Sequence, residues 1–385
     1  MSRASGFVPP VYPFDRLKPI EAIAESLPGG MVDLSVGTPC DPPPPAVIEA
    51  LATSGAERGY PAAIGSARLL DAARHWVGRR FGVELDRSVV AACIGTKEFV
   101  AGVPQWLRLR SPERDTVLYP SVAYPTYEMG ALLASCRAVP VPPRPDGSLA
   151  LETLSEKDAS RALCLWLNSP SNPTGALDDL DAAARWGRAH GVPVLSDECY
   201  AEYTWDGAPR TVLETGIEGV LAVHSISKRS NCAGLRVGFY CGDPELVHYL
   251  VEVRRHAGFM VPGPIQLAGA VALEDDEHVA LQRARYRARL ERFCEVLELI
   301  GVKASLPGGS FYLWIPVPEH GYESYAVEGE GPEWAFTRYL ATTAGVLVSP
   351  GDFYGPDGVG YVRIAMVQPD ETIELAATRL EASLA

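Results

Sequence analysis

Only five lysines occur in this chain of 385 residues (Lys18, Lys97, Lys157, Lys228 and Lys303), so chemistry that needs a primary amine has few places to happen. Lys228 follows the apolar run Leu221-Ala-Val-His-Ser225-Ile-Ser227, which puts its amine at the end of a buried segment, beside low-dielectric walls. Burial disfavours the ammonium form and lowers the lysine pKa from ~10.4, which is what a lysine that condenses with a carbonyl requires. Lys157, in Ser155-Glu-Lys-Asp, keeps the polar company of a surface lysine. Ser225 and Arg236 flank Lys228, and a hydroxyl with a guanidinium can complete a phosphate clamp.

Other candidates follow apolar runs in the same way. Asp197, with Tyr200 close behind, follows the run 192–195; a carboxylate there either caps a helix or holds a protonated ring nitrogen. Asn168-Ser-Pro-Ser-Asn172-Pro-Thr-Gly175 has Asn-Pro turn chemistry, and its amides would also give directed hydrogen bonds beside a cleft. Gly95-Thr96-Lys97-Glu98 is a glycine turn opening a helix, either a plain connection or a backbone site for a phosphate. Tyr124 and Tyr127, among prolines after the run 116–119, either pack their loop or stack on a flat ring. Arg363, in Gly360-Tyr-Val-Arg-Ile-Ala, is an arginine inside an apolar strand, so its charge needs a partner. That partner is either an internal carboxylate or a substrate carboxylate gripped bidentately.

The elements that must position these groups are short apolar runs alternating with amphipathic stretches. Strands are expected at 89–94, 116–119, 138–141, 162–167, 192–195, 221–224 and 237–241. The alternation predicts an α/β unit on a largely parallel sheet, buried on both faces, with ligands bound beyond the carboxyl ends of its strands. A long arginine-rich helix is expected over 276–300, then strands at 302–306, 310–317, 346–349 and 361–367 with few helices between them, and a helix from about Asp370. The organisation expected is an arm (1–36) packing with the smaller domain, a large domain (37–285) and a small α+β domain (286–385). The stretch 318–332, rich in glycine and glutamate, reads as a surface excursion.

Composition excludes other classes of function. With 34 basic against 48 acidic residues the net charge is −14, which argues against nucleic-acid and anionic-membrane surfaces. Eight cysteines without a C-x-x-C pair, and no clustered histidines, argue against a structural zinc and for reduced thiols in the cytoplasm. No apolar run approaches the ~18 residues of a membrane span. No G-x-G-x-x-G or G-x-x-x-x-G-K-[ST] supports a dinucleotide or P-loop site. Taken together, the amine, the carboxylate, the ring stacker and the phosphate cup are what pyridoxal 5′-phosphate needs, with Asn172 and Tyr200 available for its ring hydroxyl.

Asn168-Ser-Pro-Ser-Asn172-Pro-Thr-Gly, Asp197-Glu-Cys-Tyr200, Ser225-Ile-Ser-Lys228, Gly234-Leu-Arg236-Val-Gly and Tyr361-Val-Arg363-Ile resemble the class I/II aminotransferases, with the type I pyridoxal-phosphate fold. The resemblance runs from Ser35-Val-Gly37 to the end of the chain. It implies that Lys228 bonds the cofactor and then moves a proton, that Asp197 holds its pyridinium, and that Tyr124 stacks on its ring. Asn172 and Tyr200 would bond the ring oxygen. Thr96 and Lys97 (through backbone amides), Ser225 and Arg236 would bind phosphate, with Ser227 a weaker candidate. Arg363 would take the substrate α-carboxylate, aided by Asn172 and the backbone at Gly37. Tyr60 resembles the tyrosine that reaches the partner subunit's phosphate, which implies a homodimer with shared sites. The family often continues Leu-Arg where this chain has Leu69-Leu70.

Within the family, the run Ser227-Lys-Arg-Ser-Asn231, the Gly95-Thr-Lys-Glu-Phe turn and the arginine-rich composition are most similar to actinobacterial N-succinyldiaminopimelate aminotransferases. These move an amino group between glutamate and N-succinyl-2-amino-6-oxopimelate in diaminopimelate and lysine synthesis. Such a substrate carries several carboxylates, so extra cations are expected near the cleft, with Arg229 and Lys97 as candidates. The same cofactor shell would also serve an aspartate- or kynurenine-type aminotransferase or a C–S β-lyase. A transcription regulator built on this fold would need a DNA-binding domain ahead of it, and only a few dozen residues precede Gly37.

Overall fold

The computed structural model describes residues 6–382. A two-residue β1 (Val32–Asp33) precedes the strands of the main sheet: β2 (Val90–Cys93), β3 (Thr116–Pro120), β4 (Arg137–Val141), β5 (Ala162–Asn168), β6 (Val194–Asp197), β7 (Val220–Ser225) and β8 (Gly238–Gly242). Their order is β2-β8-β7-β6-β5-β3-β4, and β8 alone runs against its neighbours. All seven strands lie where the apolar runs predict them, with ends moved by at most two residues. β6 starts at Val194 rather than Val192 because Pro193 has no N–H to give to the ladder.

Both faces of the sheet are covered, so β5, β6 and β7 are buried along their whole length and read as continuous apolar runs. Helices Thr96–Arg110 and Pro244–Ala257 pack Phe99, Val103, Val247 and Leu250 against one face. Helices Ala67–Phe81, Leu180–His190 and Gly263–Glu274 cover the other. Leu69 and Leu70, which stand where the family often has Leu-Arg, are both buried in this second core.

The long helix spans Glu277–Leu299 and leads to a C-terminal α+β layer. Its strands are β9 (Tyr312–Pro316), β10 (Val346–Leu347), β11 (Ser349–Pro350) and β12 (Tyr361–Ala365). β12 lies between β11 and β9, antiparallel to both, while β10 pairs with β1 from the N-terminal arm.

One expectation fails in this layer. Residues 302–306 form no strand: Val302 is buried in the C-terminal core and Leu306 packs against it, but the segment has no ladder partner. One full helix, Pro332–Ala344, separates β9 from β10, and its buried face includes Trp334, Phe336, Leu340 and Ala344. The C-terminal helix Asp370–Ala382 falls where predicted. Among the described residues no helix is long and apolar enough to cross a membrane.

Candidate active site

Strand register brings the candidate residues to one edge of the main sheet. Asn168 ends β5 directly opposite Asp197, which ends β6. β7 ends at Ser225, whose Oγ accepts the Ser227 amide at 3.0 Å and so caps the short helix Ile226–Arg229 that carries Lys228. Because β8 runs the other way, its start lies at this same edge and brings Arg236 there; β2 ends alongside and delivers Gly95 and Thr96. The cleft they enclose has a volume of about 420 Å³.

Lys228 is half-buried in the cleft wall, and its Nζ donates to the Gly37 carbonyl oxygen. Burial lowers its pKa to about 8, reinforced by the Arg363 and Arg236 charges and opposed by Cys199 and Asp197. The free amine is therefore about a tenth of the population at pH 7 and about half of it near pH 8. Reconstitution of the apo form with pyridoxal phosphate should accelerate with pH through a midpoint near 8. Stopped-flow absorbance checks this; a midpoint at an ordinary lysine's value contradicts it. Gly37 approaches the site because it lacks a side chain, since a Cβ there would land on the Tyr312 hydroxyl.

Asp197 is buried on the cleft floor. Its Oδ2 accepts the Tyr127 hydroxyl at 3.3 Å and its Oδ1 accepts the Cys199 amide at 3.2 Å. Burial raises its pKa to about 6 against those hydrogen bonds. It forms no ion pair among the described residues. A buried carboxylate with hydrogen bonds but no cation is a fitting partner for a protonated pyridine nitrogen.

At the opposite wall, Gly95 (φ +74°) precedes the helix Thr96–Arg110, and no side chain caps that helix start. Arg236, itself at φ +54°, has Nη1 at 3.5 Å from Ser227 Oγ and Nη2 at 3.5 Å from the Ile94 carbonyl oxygen. Unpaired amides at a helix start, with a guanidinium and a hydroxyl beside them, make an anion cradle. Ser227, not Ser225, borders the cleft, while the Ser225 hydroxyl lies 2.8 Å from Ser227 Oγ and 3.1 Å from the Val237 carbonyl oxygen. Ser225 shapes the cradle from behind.

Between cradle and floor, Asn172 Nδ2 donates to the Tyr200 hydroxyl at 3.4 Å, and the Tyr200 and Tyr312 hydroxyls are 3.1 Å apart. The Asn172 amide bonds to Asn168 Oδ1 at 2.8 Å, which fixes the Asn-Pro loop against β5. Arg363 is 1% exposed. Its Nη1 donates to Asn172 Oδ1 at 2.8 Å, Nη2 to the Ser35 carbonyl oxygen, and its Nε is buried without a partner. The rings of Tyr312 and Tyr354 lie 4.2 and 5.0 Å from its guanidinium carbon. No carboxylate pairs with it among the described residues, so the internal ion pair is not its explanation. A buried guanidinium facing a cleft without an anion is poised for a ligand carboxylate.

At the cleft mouth, Lys97 Nζ is 3.1 Å from the Tyr124 hydroxyl and 3.4 Å from that of Tyr12. Arg229, expected near the substrate, instead points away from the cleft: it is buried against Glu202 (2.9 Å) and Asp276 (2.6 Å). Tyr60 does not border the cleft of its own chain and is 98% exposed. Tyr127, the second aromatic of the loop after β3, lines the cleft with Tyr124, and Tyr12, Phe14, Thr38, Cys199 and Tyr312 also line it and were not foreseen. The arm and β9, which bring in Tyr12, Phe14 and Tyr312, reach the sheet edge only through tertiary packing, so local spacing carried no signal for those three.

A model of class I and II aminotransferases matches residues 29–380, and the chain belongs to that family. It is 42% identical over 380 residues to a probable aminotransferase of Mycobacterium tuberculosis, covering 96% of this chain and 85% of that protein. It is 41% identical to the 4-dedimethylamino-4-oxo-anhydrotetracycline transaminase OxyQ of Streptomyces rimosus, covering 96% of this chain and 99% of that one. Among solved structures, a probable N-succinyldiaminopimelate aminotransferase from Thermus thermophilus superimposes with a TM-score of 0.83 and 32% identity, over 96% of this chain and 99% of the other. The protein is therefore an aminotransferase that depends on pyridoxal 5′-phosphate and acts on amino-acid and oxo-acid substrates. The cofactor supplies an electron sink for the bond broken at the substrate's α-carbon.

Proposed function

We propose that this aminotransferase exchanges an amino group between glutamate and N-succinyl-2-amino-6-oxopimelate, in diaminopimelate and lysine synthesis. The observation that carries the reading is a pair of cations, Arg363 at the base and Lys97 at the mouth of one cleft, that have no carboxylate partner among the described residues. Arg363 would take the α-carboxylate and Lys97 one of the further carboxylates. The likeness to the Thermus thermophilus protein supports the same substrate class. Lys228 Nζ would bond the cofactor and then carry the proton removed from the substrate's α-carbon. Asp197 would hold the ring nitrogen, Tyr124 would lie against the ring, and Asn172 and Tyr200 would bond its oxygen. Thr96 and Lys97 (through their backbone amides), Ser227 and Arg236 would bind phosphate, with Ser225 behind Ser227. Tyr60, exposed on its own chain, would complete that phosphate site in a partner copy of a homodimer.

A second reading has an observation of its own. OxyQ, 41% identical, is named for a fused-ring ketone, and the mouth of this cleft is walled by Tyr12, Phe14 and Tyr124. The discriminating experiment is a half-reaction followed by absorbance. Glutamate bleaches the visible band of the cofactor-loaded protein, and each keto acceptor is then offered separately. Selective return of the band with N-succinyl-2-amino-6-oxopimelate supports the first reading. Return only with a fused-ring ketone supports the second. Return only with oxaloacetate or phenylpyruvate discards both and leaves the amino transfer standing. Release of pyruvate and ammonia without an acceptor would mark a lyase.

A further inference from the structure

The helix Thr96–Arg110 presents its uncapped start to the cleft, yet a carboxylate, Glu98, stands in that same first turn. Glu98 Oε2 accepts the Ile94 amide at 3.1 Å, while Arg236 Nη2 is 3.5 Å from the Ile94 carbonyl oxygen. Ile94 is thus held at its N–H and its C=O, and the turn through Gly95 to Thr96 is fixed. The arrangement contains a conflict, because a negative charge in the turn opposes any anion approaching the amides beside it.

Arg254, from the helix Pro244–Ala257, meets that charge from the far side. Its Nη1 lies 2.6 Å from Glu98 Oε1 and its Nη2 2.9 Å from Glu98 Oε2, a two-pronged pair. Arg254 is 1% exposed, and its guanidinium carbon sits 5.1, 5.3 and 5.7 Å from the rings of Trp106, Phe259 and Phe99. The aromatic cage holds the guanidinium in place and keeps it away from the cleft.

We infer that Arg254 is a positioning residue for the cofactor phosphate: it holds Glu98 behind the Ile94–Thr96 turn and cancels the carboxylate's charge, so that the turn offers its amides to an anion. The inference rests on the assignment of that turn to the phosphate. It is tested on the full-length apo protein by titrating pyridoxal phosphate and, separately, pyridoxal, which lacks the phosphate. Arg254→Met should weaken pyridoxal phosphate binding by about ten-fold or more while leaving pyridoxal unchanged. Adding Glu98→Gln to it should restore most of the loss, because the uncompensated charge is gone and the amide oxygen still accepts the Ile94 N–H. Equal losses for both ligands, no loss, or a double variant as weak as the single one would overturn it. Should Arg254→Met fail to fold, Glu98→Gln alone decides: phosphate-dependent affinity is kept or increased if the inference holds, and falls if it does not. A wild-type protein that prefers neither ligand would instead overturn the phosphate assignment itself.

Discussion

Lys228→Ala should lower turnover by about 10⁴-fold or more while the chain stays folded. Four other lysines remain in this variant, but Lys228 alone combines a position on the cleft wall, a reach to the Gly37 carbonyl and a lowered pKa. Steady-state turnover at saturating cofactor, beside a melting curve, checks both halves of the expectation. Stability carries its own signature. The folded-state pKa lies near 8 and the ordinary value is 10.5, so the folded protein binds fewer protons than the unfolded chain between them. Burial of the amine therefore destabilises the apo protein fully below pH 8, and the penalty fades as pH rises toward 10.5. Lys228→Ala should remove that rise, leaving a flatter profile across this window. Retained turnover would refute the role of Lys228; a rise identical to the wild type would refute its burial as a charge.

Arg363→Ala should raise the KM for amino-acid substrate by about 10²–10⁴-fold, since two charge-assisted hydrogen bonds to a carboxylate contribute roughly 1.5–3 kcal/mol each. Cofactor affinity should change far less. The buried guanidinium has neutral partners and an unpaired Nε, so its removal breaks no ion pair and apo stability should not fall by the roughly 3–5 kcal/mol that breaking a buried pair costs. Arg363→Lys should recover only part of the loss, because an ammonium cannot reproduce the planar fork. Parallel titrations of substrate and cofactor check the difference, and equal losses of the two would contradict the assigned role.

The main sheet was legible in the sequence because its inner strands are buried on both faces: a run such as 162–167 has no polar face to confuse. Much of the chemistry was legible for the same reason, since Thr96, Tyr124, Asn172, Asp197 and Lys228 each follow a run that reads as a strand, and in a nearly parallel sheet those runs end at one edge. Legibility fell where position depends on packing between distant segments. Val302 and Leu306 are apolar enough to suggest a strand, but they fill the C-terminal core without a ladder. The hydroxyls of Ser225 and Ser227 stand two residues apart, and only the cap that Ser225 makes decides which one faces the cleft. Arg229 follows Lys228 directly, yet the short helix turns it toward Glu202 and Asp276. Tyr12 and Tyr312 reach the cleft from opposite ends of the chain, and no spacing near the strand ends reports them.

The measurement that tests the central claim most directly is covalent. The cofactor-loaded protein is reduced with borohydride, digested, and mapped by mass spectrometry. The account predicts one pyridoxyl-phosphate adduct, on the peptide that contains Lys228. An adduct on Lys18, Lys97, Lys157 or Lys303 instead, or none on a protein that binds the cofactor, would contradict it.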